Sequence, residues 1–206
     1  MIHKTHSPRR LESGLWYSLM LSLLYPAVLG SIFYSLLGFI FTPTLYIGRL
    51  DSILQVALSL AVVCHFCVDF LYVCLLRDYN FRQFAIDLTV VCLLYNAFLS
   101  IDPSGTSQNV RLFFLTFSAI YITFFPQELM IWRGYLKEMR HGYIRLHGRM
   151  LVHTVVCITL YLLTYAYYSI LPHALPVALV FLSTVHYAYT LKLRFNLEED
   201  DKPSEK

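Results

Sequence analysis

Residues 15–41 contain no Asp, Glu, Lys or Arg, and five more strongly apolar runs follow at residues 53–76, 84–101, 112–131, 150–170 and 174–191. A helix that crosses about 30 Å of hydrocarbon needs roughly 20 such residues. The pattern therefore predicts an all-α integral membrane protein, a bundle of about six transmembrane helices. The first run is too long for the core of a cleaved leader and lacks a small-residue cleavage site, so we expect a retained helix. Runs five and six are separated by Leu171-Pro172-His173-Ala174-Leu175-Pro176. Its two prolines remove backbone donors and fix φ, which predicts a tight hairpin in place of one bent helix. No internal repeat is visible. The organisation expected is a short segment 1–14, a transmembrane domain 15–191 and a charged, disordered tail 192–206 ending in the acidic stretch Glu198-Glu199-Asp200-Asp201.

Composition agrees with this reading: 57% of the 206 residues are hydrophobic and 14% are charged, with a mean hydropathy of +0.57, leaving little chain for a soluble domain. Charge then supplies a direction, because basic loops resist translocation. If the N-terminus is cytoplasmic, 14 of the 16 basic residues fall on that side and only Arg49 and Arg111 on the other. Both termini are thus expected in the cytoplasm, with the chain in the cell's inner membrane or an endomembrane. The net charge of +3 follows from this loop bias, so no nucleic-acid partner is expected. The five cysteines all lie in predicted spans, where they serve as small apolar residues; Cys64-x-x-Cys67 lacks a second pair for a metal site.

The candidate chemistry lies in the few polar residues inside the runs. An aspartate in mid-membrane costs about 2.5–3.5 kcal/mol, so Asp69 calls for a partner. His65 stands four residues earlier on the same helix face and can meet it. With the expected topology Asp69 lies about 12 Å from the cytoplasmic end at Arg77, and Asp87, Glu128, His153 and His186 fall in the same half of their spans. That placement suits a vestibule open to the cytosol. Each also has a plainer reading, Asp87 and Glu128 as helix-end carboxylates and His153 and His186 as packing histidines.

Between runs four and five lies a basic linker, residues 132–149, in which Arg133, Lys137, His141, Arg145 and Arg149 recur every four residues while Tyr135, Met139, Tyr143 and Leu146 follow helical spacing on another face. This predicts one amphipathic helix that meets anionic lipid headgroups or an anionic cytosolic ligand, although Gly134, Gly142 and Gly148 weaken it. Tyr161, Tyr165, Tyr167, Tyr168 and His173 place polar rings along the fifth span, where they could line a polar path; interhelical packing is the plainer reading.

His65-x-x-x-Asp69 and Pro103-Ser104-Gly105 resemble two motifs of membrane lipid phosphatases. Their order is reversed, however, and Thr106 stands where that family has histidine, so the resemblance fails. The acidic second and third runs are similar to voltage-sensor helices, but the fourth lacks repeated arginines. Intramembrane CAAX-type proteases use a comparable histidine motif with a Glu-Glu pair that has no counterpart in these spans. No catalytic set, metal ligands or cofactor is expected. The leading expectation is conduction of a small cation, most plausibly protons, through His65, Asp69, Asp87, Glu128, His153 and His186, in a homo-oligomer gated at the linker. A non-transporting scaffold and an intramembrane metal-dependent enzyme are the alternatives.

Overall fold

A computed structural model describes residues 8–41, 50–74, 79–101, 109–139, 141–172 and 174–200, with side chains described except at 8–13, 39–40, 50–53 and 198–200. About 96% of the described residues are helical and none is in a strand. Among the described residues, six helices are long and apolar enough to cross a membrane.

The first span is made of α1 (Pro8–Leu19), a π-helical turn (Met20–Leu24) and α2 (Tyr25–Ile40). Pro26 carries no amide proton, so the α-helical ladder cannot run unbroken past it. The chain widens instead, and the Tyr25 N–H donates to the carbonyl of Met20, five residues back. Widening of this kind re-aims the neighbouring side chains, and Tyr25 points into the bundle, 1% exposed.

The remaining spans are α3 (Leu50–Cys74), α4 (Phe81–Ile101), α5 (Val110–Glu138), α6 (His141–Tyr167) and α7 (Ala174–Asp200). Asn80 Oδ1 accepts the Gln83 N–H at 3.0 Å, and Asn109 Oδ1 accepts the Leu112 N–H at 3.0 Å, giving α4 and α5 side-chain caps. The hairpin expected at Leu171–Pro176 is present: a 3-10 turn (Tyr168–Ile170) ends α6, and Pro176 sits in the first turn of α7, where its missing donor costs nothing. Neighbour contacts run α3 to α4, α4 to α5, α5 to α6, α6 to α7 and α7 back to α3. These five helices close a ring, and the first span packs outside it against α3 and α4. Burial agrees: 22% of the first span's apolar window is enclosed, against 56% for Leu54–Cys74.

Two sequence expectations need correction. Residues 132–149 do not form one helix. Met139 adopts a left-handed conformation, φ 55°, and its N–H returns to the Tyr135 carbonyl, closing α5 before α6 begins. The basic stripe is thereby divided, with Arg133 and Lys137 on α5 and His141, Arg145 and Arg149 on α6, all exposed. Its aromatic companions form the seam between the two helices, where Tyr135 stacks on Tyr143 and His147 at centroid distances of 4.7 and 5.2 Å. The second correction concerns the C-terminal end, since residues 192–200, expected within a disordered tail, continue α7; residues 8–14, expected as a short segment ahead of the first span, are helical in α1. A Cβ on Gly142 would come within 3.2 Å of Leu197, so α6 supports this extension at close range. Arg49, Arg77, Arg140, His173, Pro103 to Thr106 and residues 201–206 lie outside the described residues.

Candidate functional site

The ends of α3, α5 and α7 and the starts of α1, α4 and α6 share one side of the bundle, because consecutive spans alternate in direction. At about 1.5 Å of rise per residue, Asp69 lies about 8 Å from that side, Asp87 about 9 Å, Glu128 about 15 Å and His153 about 18 Å. Asp69, Asp87 and Glu128 are all at most 5% exposed, so protein and not lipid surrounds them.

His65 and Asp69 do not meet. The Asp69 carboxylate accepts the Tyr25 hydroxyl at 2.5 Å through Oδ2, while Oδ1 has no hydrogen-bond partner. His65 turns the other way: its Nδ1 lies 3.3 Å from Thr184 Oγ1. That threonine already gives its proton to the Val180 carbonyl at 2.9 Å, so in the neutral ring Nδ1 donates and Nε2 is left as an acceptor. Nε2 is buried without a partner.

Asp87 forms a separate network: Gln83 Nε2 donates to Asp87 Oδ1 and Gln127 Nε2 donates to Gln83 Oε1, each at 2.9 Å. Tyr79, in the connection before α4, is buried beside it. Burial, reinforced by the Asp87 charge, pushes its phenol above the ordinary range, so it remains a hydroxyl donor. Glu128 Oε2 pairs with His147 Nδ1 at 2.8 Å, joining α5 to α6.

Between α3, α5, α6 and α7 the ring encloses a chamber lined by His65, Tyr72, Tyr121, Glu128, His153 and Tyr187, among others. Its space for the centres of water-sized molecules is about 30 Å³, room for about two waters. His65 Nε2 is buried without a partner, and Tyr72 Oη and Tyr121 Oη make no hydrogen bond of good geometry, although Arg194 stands beside Tyr72 and Ser183 and Cys157 beside Tyr121. The space could take an occupant that donates to His65 Nε2. Arg194 lies 5.3 Å from the centre of the Tyr72 ring.

From this chamber a run of rings leads outward. His65 to Tyr121 is 6.0 Å between centroids, Tyr121 to His153 is 5.8 Å, and His153 stacks on His186 at 4.0 Å. His65 is fully buried and His186 is exposed. His153 lines both the chamber and an open groove shared with Arg145, Arg149 and His186.

Of the six expected pathway residues, His65, Glu128 and His153 come together at the chamber, and His186 joins them through the stack. Asp69 and Asp87 sit apart, although Tyr187 stands close to both Asp69 and the chamber. Among the described residues, no three His, Cys, Asp or Glu side chains gather in a metal-binding arrangement. Tyr161 is buried and donates to Ser183 Oγ at 2.6 Å, an interhelical bond as expected, while Tyr165 and Tyr167 face outward. Tyr25, Tyr72, Tyr121, Tyr187 and His147 were not singled out from the sequence. For Tyr25 and Tyr121 the available signal was a tyrosine far from a span end. No family model, curated protein or solved structure matches the chain.

Proposed function

We propose that this multi-pass membrane protein passes protons, or another small cation, through the chamber, which opens to the cytoplasm between α6 and α7. The observation that carries the reading is the continuous run His65, Tyr121, His153, His186, from a fully buried ring to an exposed one. An imidazole can accept a proton at one nitrogen and release one from the other, and a phenol can accept and release at its single oxygen; water in the chamber would connect His65 Nε2 with Glu128. Toward the opposite side, Phe113, Phe114 and Phe117 fill the bundle with no exposure, so this conformation is closed there. The positive-inside bias supports a cytoplasmic position for both termini and for the chamber's mouth, in an inner membrane or endomembrane. One chamber of this size per chain leaves any wider aqueous path to a homo-oligomer.

A second reading is favoured by a specific observation. Tyr25 with Asp69, Gln127 with Gln83, His147 with Glu128, Tyr161 with Ser183 and His65 with Thr184 each join two different spans. Such contacts also fix helix register in a scaffold subunit that transports nothing.

Purified protein in liposomes with an imposed pH gradient separates the two. Proton flux well above that of empty liposomes is expected, with at least a tenfold loss in His153→Phe, which keeps an aromatic ring against Tyr121 and His186 but cannot carry a proton. Flux equal to that of empty liposomes, or unchanged flux in the variant, overturns the transport reading.

A further inference from the structure

We infer that the groove between α6 and α7 is a binding site for one acidic phospholipid, tested by lipid binding alone although it shares His153 and His186 with the proposed proton run. On α6, Arg145, Arg149, Val152 and Val156 are spaced by four, three and four residues and so share one face. All four are exposed, Val152 by 65% and Val156 by 47%. Two grooves meet at the arginines: one of about 530 Å³ runs past Val152 and Val156 to His186, and one of about 250 Å³ is bounded by Leu193, Asn196 and Leu197 of α7.

Chemistry and length agree on the occupant. Among the described residues neither guanidinium pairs with a carboxylate, and two arginines one turn apart suit a phosphodiester. A soluble phosphate ligand would have no use for the apolar continuation. From Arg145 to Val156 the helix rises about 16 Å, close to half of the roughly 30 Å hydrocarbon thickness and so to one leaflet's acyl chain. With the arginines on the basic side, headgroup and chain both fall in one leaflet. Arg133 and Lys137, on α5, line neither groove and serve as a charge-matched comparison.

The test measures binding of a fluorescent phosphatidylglycerol to the purified full chain in neutral-lipid nanodiscs, with a phosphatidylcholine analogue and inorganic phosphate as competitors. Arg145→Gln with Arg149→Gln should weaken binding about thirtyfold, that is, about 2 kcal/mol at 1.4 kcal/mol per factor of ten. Val152→Trp with Val156→Trp, which keeps the charges and fills the groove, should also weaken it at least fivefold. Arg133→Gln with Lys137→Gln should change it less than twofold. Equal losses in the two charge variants would reduce the effect to general attraction by the basic surface. Unaltered binding in the tryptophan variant, or displacement by inorganic phosphate, would remove the acyl part of the site. Either outcome overturns the inference.

Discussion

Replacing Tyr25 by phenylalanine removes one hydroxyl and little else. The ring keeps its edge-on contacts with Phe66 and Phe70, at centroid distances of 5.0 and 5.3 Å, while Asp69 loses its hydrogen bond at Oδ2 and already lacks one at Oδ1. Stranding a buried polar group costs about 1–3 kcal/mol in soluble proteins. Interhelical hydrogen bonds in membranes average about 0.6 and reach about 1.7 kcal/mol. Because Asp69 is 1% exposed and would be left with only the Tyr187 hydroxyl nearby, the loss should lie between the membrane average and its upper value, about 1 kcal/mol. Reversible unfolding by SDS in mixed micelles measures it. In an Asp69→Ala background the same substitution should cost nothing, since the Tyr25 hydroxyl then has no acceptor to lose, so the coupling should equal the single-variant loss. A loss below about 0.3 kcal/mol in the native background, or an equal loss in both, would show that the π-helical turn does not aim Tyr25 at Asp69 for stability.

Other consequences follow from single contacts. Met139→Gly should stabilise the protein by about 1 kcal/mol in the same unfolding assay, because it relieves a left-handed conformation in a residue with a Cβ; a decrease would mean that the turn tolerates methionine without strain. Tyr161→Phe should lower stability by about 0.6–1.7 kcal/mol through loss of its bond to Ser183, with Ser183→Ala non-additive with it. His147→Phe should keep the stacking on Tyr135 but leave Glu128 unpaired inside the bundle. We expect it to destabilise by about 2 kcal/mol or more, and Glu128→Leu with His147→Phe to recover most of that loss.

The six spans were legible because each run of apolar residues is long enough to cross hydrocarbon and ends at polar or proline-rich sequence. The break between α5 and α6 was not. Helices usually stop at a left-handed glycine, yet here methionine takes that conformation, and the four-residue recurrence of basic side chains continues across the break. The expected His65–Asp69 pair shows a different limit. Positions i and i+4 differ by about 40° around the helix, enough for α7 to claim His65 and the first span to claim Asp69. Tyr25 carried a readable signal, since Pro26 beside it denies the helix one donor in mid-span. Which helix that tyrosine would face depended on how the spans pack. The extension of α7 past residue 191 was concealed by its charges, and the close approach of Leu197 to Gly142 supplies the tertiary support that composition could not show.

Everything proposed for transport needs water to reach the chamber, and hydroxyl-radical labelling of the protein in nanodiscs reads this with like residues as controls. Tyr72 and Tyr121 line the chamber, whereas Tyr25 and Tyr161 are equally buried outside it with their hydroxyls engaged. Oxidation of Tyr72 and Tyr121 at least several times faster than that of Tyr25 and Tyr161 is the expected result. Four equally protected tyrosines would mean a dry interior, with no path for a proton through it.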